Sequence, residues 1–185
     1  MIKKTIEKLV AGIGKGQIEI YNEFSLQHEL GILLRSEFPS DKVQFERNIS
    51  YFFNSDKFIK KEIDIVVFSP DKSILKYAIE LKFPRNGQHP EQMFSFCKDI
   101  LFTEQLKASG FQKTFLIIFA DDRLFYSGNA DGIYGYFRQN KQLHGTIQKP
   151  TGLKNETVEL KGTYQVNWTV ATGDLKYAII EAGGS

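Results

Sequence analysis

The stretch KKEIDIVVFSPDKSILKYAIELKFP, residues 60 to 84, constrains this chain more than any other. Ile63, Ile65 and Val67 alternate with Asp64, Val66 and Phe68. After the polar break Ser-Pro-Asp-Lys-Ser the alternation resumes, with Tyr77, Ile79 and Leu81 set against Ala78, Glu80 and Lys82. Period-two alternation on both sides of a turn-forming segment predicts a β-hairpin. With the turn centred near Asp71 to Ser73, antiparallel partners have numbers that sum to about 144. Asp64 then faces Glu80. One side of the hairpin carries Ile63, Ile65, Val67, Tyr77, Ile79, Leu81 and Phe83. The other is apolar at Val66, Ala78 and Phe68 and ends in Glu62, Asp64, Glu80 and Lys82.

Directly opposed carboxylates lie roughly 4.5 to 5.5 Å apart and repel, which a fold normally avoids. A divalent cation offsets that repulsion, because carboxylate oxygens on a half-buried platform are the ligands that magnesium and manganese prefer. The plainer reading is a set of ion pairs on an exposed strand face, Lys82 with Glu62 and Glu80, contributing little to stability. That reading leaves Asp64 opposed to Glu80 with no cation between them. Lys82 falls two residues after Glu80 and so on the same strand face.

Asp64, a spacer of fifteen residues, then Glu80-Leu81-Lys82 resembles the pattern of the PD-(D/E)XK nuclease superfamily. The resemblance implies an α/β (α+β) fold with a restriction-endonuclease-like core, in the order helix-strand-strand-strand-helix-strand around a mixed central sheet. It implies metal-dependent hydrolysis of phosphodiester bonds in nucleic acid, DNA ahead of RNA. Magnesium, or manganese, would be ligated by Asp64, Glu80 and the Leu81 backbone carbonyl, with Lys82 beside the attacking water and a further acidic residue on the helix before the hairpin. The alternative is a catalytically inactive protein that keeps the nuclease fold for nucleic-acid binding or as a scaffold.

The expected helix is YNEFSLQHELGILLRSEFPS, with Leu26, Leu30, Leu33, Leu34 and Phe38 at amphipathic spacing up to Pro39. Glu29 lies one turn from both Leu26 and Leu33 and borders the apolar stripe, where a carboxylate needs a partner. It is the first candidate for the supporting carboxylate, and Glu23 is the second. His28 reads as an exposed neighbour.

Upstream, Ile2, Ile6, Leu9 and Val10 have helical spacing, and AGIGKG reads as a connector, since its glycines fit neither the phosphate-loop nor the dinucleotide spacing. VQFERNISYFF, residues 43 to 53, reads as the first strand and Asn54-Ser55-Asp56 as a turn. Past Phe83-Pro84, the segment Arg85 to Pro90 reads as a loop beside the site, available for substrate contact. Residues 91 to 109 read as a helix burying Met93, Phe96, Cys97, Ile100, Leu101 and Leu106, which makes Cys97 a buried structural thiol. KTFLIIFADD, residues 113 to 122, reads as a strand buried on both faces and reached by a helical crossover, hence parallel to a neighbour.

In the remainder, residues 132 to 140 suggest a short helix. LHGTIQ, TVELKG, TYQVNWTV and KYAIIEA suggest short strands, the last two joined by Thr172-Gly173-Asp174. Trp168 is then a core residue in an alternating strand, and the terminal Ala-Gly-Gly-Ser has no evident structural role. At 185 residues and 42% hydrophobic, one domain is expected over residues 1 to 185, with a nuclease-like core at 21 to 122 and a β-rich extension at 123 to 185. The sixteen Phe and eight Tyr predict an aromatic core. A net charge of +2 assigns any nucleic-acid binding to a local basic patch. The single Cys excludes an internal disulfide and a cysteine-rich zinc site. No run approaches the roughly 18 apolar residues of a membrane span. The expected setting is cytoplasmic, without membrane partners.

Overall fold

The computed structural model describes residues 1–54, 57–85, 87–152 and 155–183. Ser55 and Asp56 of the expected turn, Asn86 of the loop beside the site, and the terminal Gly184 and Ser185 lie outside the described residues. The chain runs α1 (Ile2–Gly14), α2 (Glu23–Glu37), β1 (Lys42–Asn48), β2 (Glu62–Phe68), β3 (Leu75–Lys82), α3 (His89–Ala108), β4 (Lys113–Ala120), α4 (Tyr134–Arg138), β5 (Leu143–Gln148), β6 (Thr157–Tyr164), β7 (Thr169–Thr172) and β8 (Leu175–Glu181). The result is a mixed α+β protein. Six strands form one sheet in the order β1-β2-β3-β4-β8-β7, and β5-β6 form a separate pair. Among the described strands only β3 and β4 run parallel, joined through α3 as a crossover requires.

The hairpin has the register that its alternation predicts. Ile65 opposes Ile79, Val66 opposes Ala78 and Val67 opposes Tyr77, before a bulge at Val67/Phe68. Each face of the sheet has its own core. Ile65, Val67, Ile79, Leu81, Phe115, Ile117 and Phe119 meet α1 and α2 through Ile2, Ile6, Leu9, Leu26, Leu30 and Leu34. On the opposite face Leu116, Ile118, Ala178 and Ile180 meet Met93, Phe96, Cys97 and Ile100 of α3, and Val66, Phe68 and Ala78 meet Phe102, Leu106 and Phe111. Burial pushes the Cys97 thiol up to about 12, so it is inert as a nucleophile.

The sequence-based expectations need three corrections. Ile63 packs with Ile49, Val66 and Phe68 rather than with Ile65 and Val67. At this level β1 is irregular: the register with β2 passes from Phe45–Ile65 to Arg47–Ile63, skipping Glu46, which has a φ of +46°. β1 stops at Asn48, whose side chain accepts from Ser50 N at 3.0 Å and turns Ile49–Tyr51 into a 3-10 helix. Local capping there overrides the alternation of Ile49, Tyr51 and Phe53. Trp168 lies outside any strand, between β6 and β7. Its indole Nε1 donates to Phe137 O at 2.8 Å and its ring tilts against Tyr126, so a loop residue supplies the packing expected of a strand.

Two local features of α2 set up the site. Asn22 Oδ1 accepts from Ser25 N at 2.8 Å while Ser25 Oγ accepts from Asn22 N at 3.0 Å, a capping box that fixes Glu23 as the first helical residue. One side of the helix also lies tight on β1: a Cβ at Gly31 would collide with the Phe45 ring.

Candidate active site

The ladder between β2 and β3 stops one step short of the carboxylates. Beyond Ile65–Ile79 the next backbone donors, on Asp64 and Leu81, would be left without partners in a buried setting. Side chains take over. Asp64 Oδ2 accepts from Leu81 N at 2.7 Å, and Glu80 Oε1 accepts from Asp64 N at 3.3 Å. The two acidic residues therefore hold the open end of the hairpin while bringing their carboxylates together.

Lysines from two directions close on this pair. Lys60, just before β2, donates to Glu80 Oε2 and, at 2.9 Å, to Asp99 Oδ1 of α3. Lys82 Nζ donates to Leu81 O at 2.8 Å and lies 3.5 Å from Glu23 Oε1 and 3.6 Å from Asp99 Oδ2. Glu23 Oε2 also accepts from Phe83 N at 3.2 Å, tying the start of α2 to the end of β3. One turn along α2, Gln27 Nε2 donates to Asp64 O at 2.8 Å and to Glu46 Oε1 at 2.5 Å. An open groove lined by Glu46, Asn48, Lys60, Lys61, Glu62 and Asp64 leads in from solvent.

Of the residues singled out in the sequence, Asp64, Glu80 and Lys82 converge, and Glu29 does not. Its partner is the adjacent His28 at 3.6 Å, and the helix carboxylate at Lys82 is Glu23. Helical geometry explains the exchange. Glu23 and Glu29 flank Leu26 by about 60° on opposite sides, and the end of β3 lies on the flank of Glu23 and Gln27. Sequence reasoning also missed Lys60, Asp99 and Gln27. Asp99 left a signal, because it shares a helical stripe with Phe96, Phe102, Thr103 and Leu106 and is only 2% exposed. Lys60 left none, since its segment has no periodicity. In the loop after β3, Arg85 pairs with Asp121, and His89 Nε2 lies 2.6 Å from Asp122 Oδ2.

The charges do not balance. Glu23, Asp64, Glu80 and Asp99 against Lys60 and Lys82 leave two negative charges in excess when all are ionised. Burial pushes the Asp64 carboxyl up to about 6 despite Lys82 and the Leu81 amide. Burial and the charge of Asp64 hold Glu80 well above the ordinary carboxylate range. Burial works against both ammoniums, yet the carboxylates outweigh it and keep Lys60 and Lys82 above the usual lysine value. Lys82 is thus a fixed cation at neutral pH and not a proton acceptor.

This imbalance predicts a pH dependence. A carboxyl whose folded pKa is raised binds a proton that the unfolded chain releases, so its stabilisation is complete below about pH 4 and is lost as pH rises through about 6. In chelator, wild type should lose at least about 1 kcal/mol more between pH 5 and pH 8 than Asp64→Asn does. Denaturant titrations at the two pH values check this, and equal losses would place Asp64 in an ordinary solvated setting.

Among the described residues, no three His, Cys, Asp or Glu side chains converge as metal ligands. The oxygens that would serve are instead engaged by Lys60, Lys82 and the strand amides. The donor set still suits a hard divalent ion: two carboxylates and a carbonyl at one level, with two charges uncompensated. No protein-family model matches this chain, no curated protein matches its sequence, and no solved structure matches its fold. Among the described residues no helix is long and apolar enough to cross a membrane.

Proposed function

We propose that this protein is a metal-dependent phosphodiesterase acting on nucleic acid, with Asp64, Glu80 and Lys82 at its centre and Glu23, in place of Glu29, as the helix carboxylate. The observation that carries this reading is the charge deficit: three buried carboxylates and the part-exposed Glu23 around two lysines at the open end of a hairpin, reached by a groove. A purely structural cluster would be expected to balance, because unpaired buried charge is costly.

Magnesium or manganese held by Asp64, Glu80 and the Leu81 carbonyl would supply Lewis acidity and lower the pKa of bound water. The protein's own groups do the rest. Lys82, kept protonated by Asp99 and Glu23, presents positive charge to the non-bridging oxygens of the phosphodiester as negative charge builds there. Glu23 positions Lys82 and anchors Phe83 N, so the cation is aimed before substrate arrives. Gln27, bonded to Asp64 O, sets the height of the β2 strand end against α2. Lys61 lines the approach and attracts the phosphate backbone, while Lys60 is held by Glu80 and Asp99.

The test is cleavage of labelled single- and double-stranded DNA and RNA with magnesium, manganese or chelator. Cleavage that requires the divalent ion and is absent in Asp64→Asn is the expected result. No cleavage of any nucleic acid, together with no effect of either metal on the melting temperature, would leave the inactive binding or scaffold reading in its place.

A further inference from the structure

Exposed aromatic side chains are few among the described residues: Tyr21, Phe24 and Tyr51. Tyr51 is covered by cations, Arg47 and Lys72 each lying 4.4 Å from its ring centroid. Tyr21 and Phe24 have no such cover, at 65% and 71% exposure. They flank Glu23, whose carboxylate reaches Lys82 and Phe83 N in the site. Large apolar rings left in water within one turn of a catalytic-type carboxylate need an explanation that scattered surface hydrophobics do not.

Helical geometry says where Phe24 points. Phe24, His28, Gly31 and Arg35 stand at i, i+4, i+7 and i+11, on one stripe of α2. Gly31 packs on the Phe45 ring and Arg35 sits 5.0 Å over it, so this stripe faces β1. Gln27, the neighbouring flank, bonds both Glu46 and Asp64, the inner wall of the groove. Phe24 therefore stands at the α2 end of that groove, with Tyr21 beyond the helix cap. Lys60 and Lys61 also line the groove.

We infer that Tyr21 and Phe24 form a base-stacking platform, and that the groove takes a single strand of nucleic acid. Its phosphates pass Lys61 toward Asp64, and its bases rest on the two rings. The inference rests on the phosphodiesterase reading for the chemistry that follows binding, and on the rings for the choice of strand. Every base has a π face, so stacking holds a strand without reading its sequence. In a duplex those faces are already stacked on one another and cannot meet a protein ring without unpairing. Glu46 and Glu62 in the groove repel the backbone and Lys60 is held by Glu80 and Asp99, which leaves stacking a large share of the affinity.

The test uses the full chain in chelator, so that binding is read without turnover. The probes are short DNA and RNA oligonucleotides carrying 2-aminopurine, single-stranded or annealed. Wild type should quench the single-stranded probes and bind them at least about tenfold more tightly than the duplexes. Stacking worth about 1 to 3 kcal/mol per base corresponds to a loss of roughly five- to more than a hundredfold on removing one ring. Phe24→Ala and Tyr21→Ala should each fall in that range and diminish the quench, while Phe24→Trp should retain both. Both positions are exposed, so neither change threatens folding. The DNA and RNA arms show which backbone the groove prefers. Equal affinity for single strand and duplex, or affinity and quench indifferent to both rings, overturns the platform. Quenching that depends on Phe24 in a protein that cleaves nothing sustains the platform and removes the phosphodiesterase. Metal-dependent cleavage indifferent to Phe24 and Tyr21 does the reverse.

Discussion

Lys82→Ala is expected to lower the rate of metal-dependent phosphodiester cleavage by roughly 10² or more without weakening divalent-ion affinity, since Lys82 Nζ otherwise engages the Leu81 carbonyl. The reason is geometric. Lys82 contributes no oxygen to the ion; it contributes a charge, held protonated 3.5 Å from Glu23 and 3.6 Å from Asp99. A charge that matters more in the transition state than in the ground state lowers kcat when removed and leaves KM little changed. Asp64→Asn and Glu80→Gln should differ from it by losing metal-induced stabilisation along with cleavage. In chelator these two variants should be about as stable as wild type or slightly more so. Burial raises the cost of ionising both carboxyls, and an amide carries no charge to bury. The deciding data are single-turnover rates across a metal titration, beside melting temperatures with and without several millimolar magnesium or manganese. A Lys82→Ala enzyme that cleaves at the wild-type rate would remove Lys82 from the chemistry. A Glu80→Gln protein still stabilised by metal would remove Glu80 from the ligands.

Much of this site was legible because strand alternation and hairpin symmetry are local rules. Once the turn at Ser69 to Ser73 was recognised, the pairing of Ile65 with Ile79 followed, and with it the proximity of Asp64 and Glu80. The choice between Glu23 and Glu29 was not legible. Both border the Leu26 stripe, and only the direction from which β3 approaches α2 separates them. That direction depends on the tight seating of Gly31 on Phe45, a contact between residues fourteen apart in sequence. Asp99 was hidden for a different reason. A helix that buries Met93, Phe96, Cys97 and Ile100 reads as wholly structural, and one acidic position on its stripe gains meaning only when β3 delivers Glu80 and Lys82 beside it. Residues 49 to 53 failed on competition between levels, where the Asn48 side chain captured a nearby amide and ended the strand. Ile63 failed at the same edge, beside the left-handed Glu46.

Lys60 is the residue whose placement most changes the physical picture. In the sequence pattern no cation stands between the opposed carboxylates of Asp64 and Glu80, and a metal is the simplest way to offset them. The fold provides a cation of its own, from a segment without periodicity. Lys60 pairs with Glu80, which is fully buried, and with Asp99, which is 2% exposed. Lys60→Met should therefore be the most destabilising change in the site, by about 3 to 5 kcal/mol at pH 8 in chelator, because it strands two buried charges. Three further readings follow from the same electrostatics. The loss should shrink at pH 5, where protons neutralise the raised carboxyls. It should shrink again in Lys60→Met/Glu80→Gln, where one stranded charge is gone. It should shrink most with a divalent ion, which meets less competition for Glu80 once the ammonium is absent. Metal affinity should then be higher in Lys60→Met than in wild type, even as stability without metal is lower. Denaturant titrations of the four proteins of this cycle, with and without manganese at both pH values, separate these effects. Loss of stability that no metal restores would make Lys60 a structural clamp on Glu80 and Asp99. Stability within about 1 kcal/mol of wild type would mean that Lys60 does not offset a buried charge on Glu80, which removes the charge deficit that the metal reading rests on.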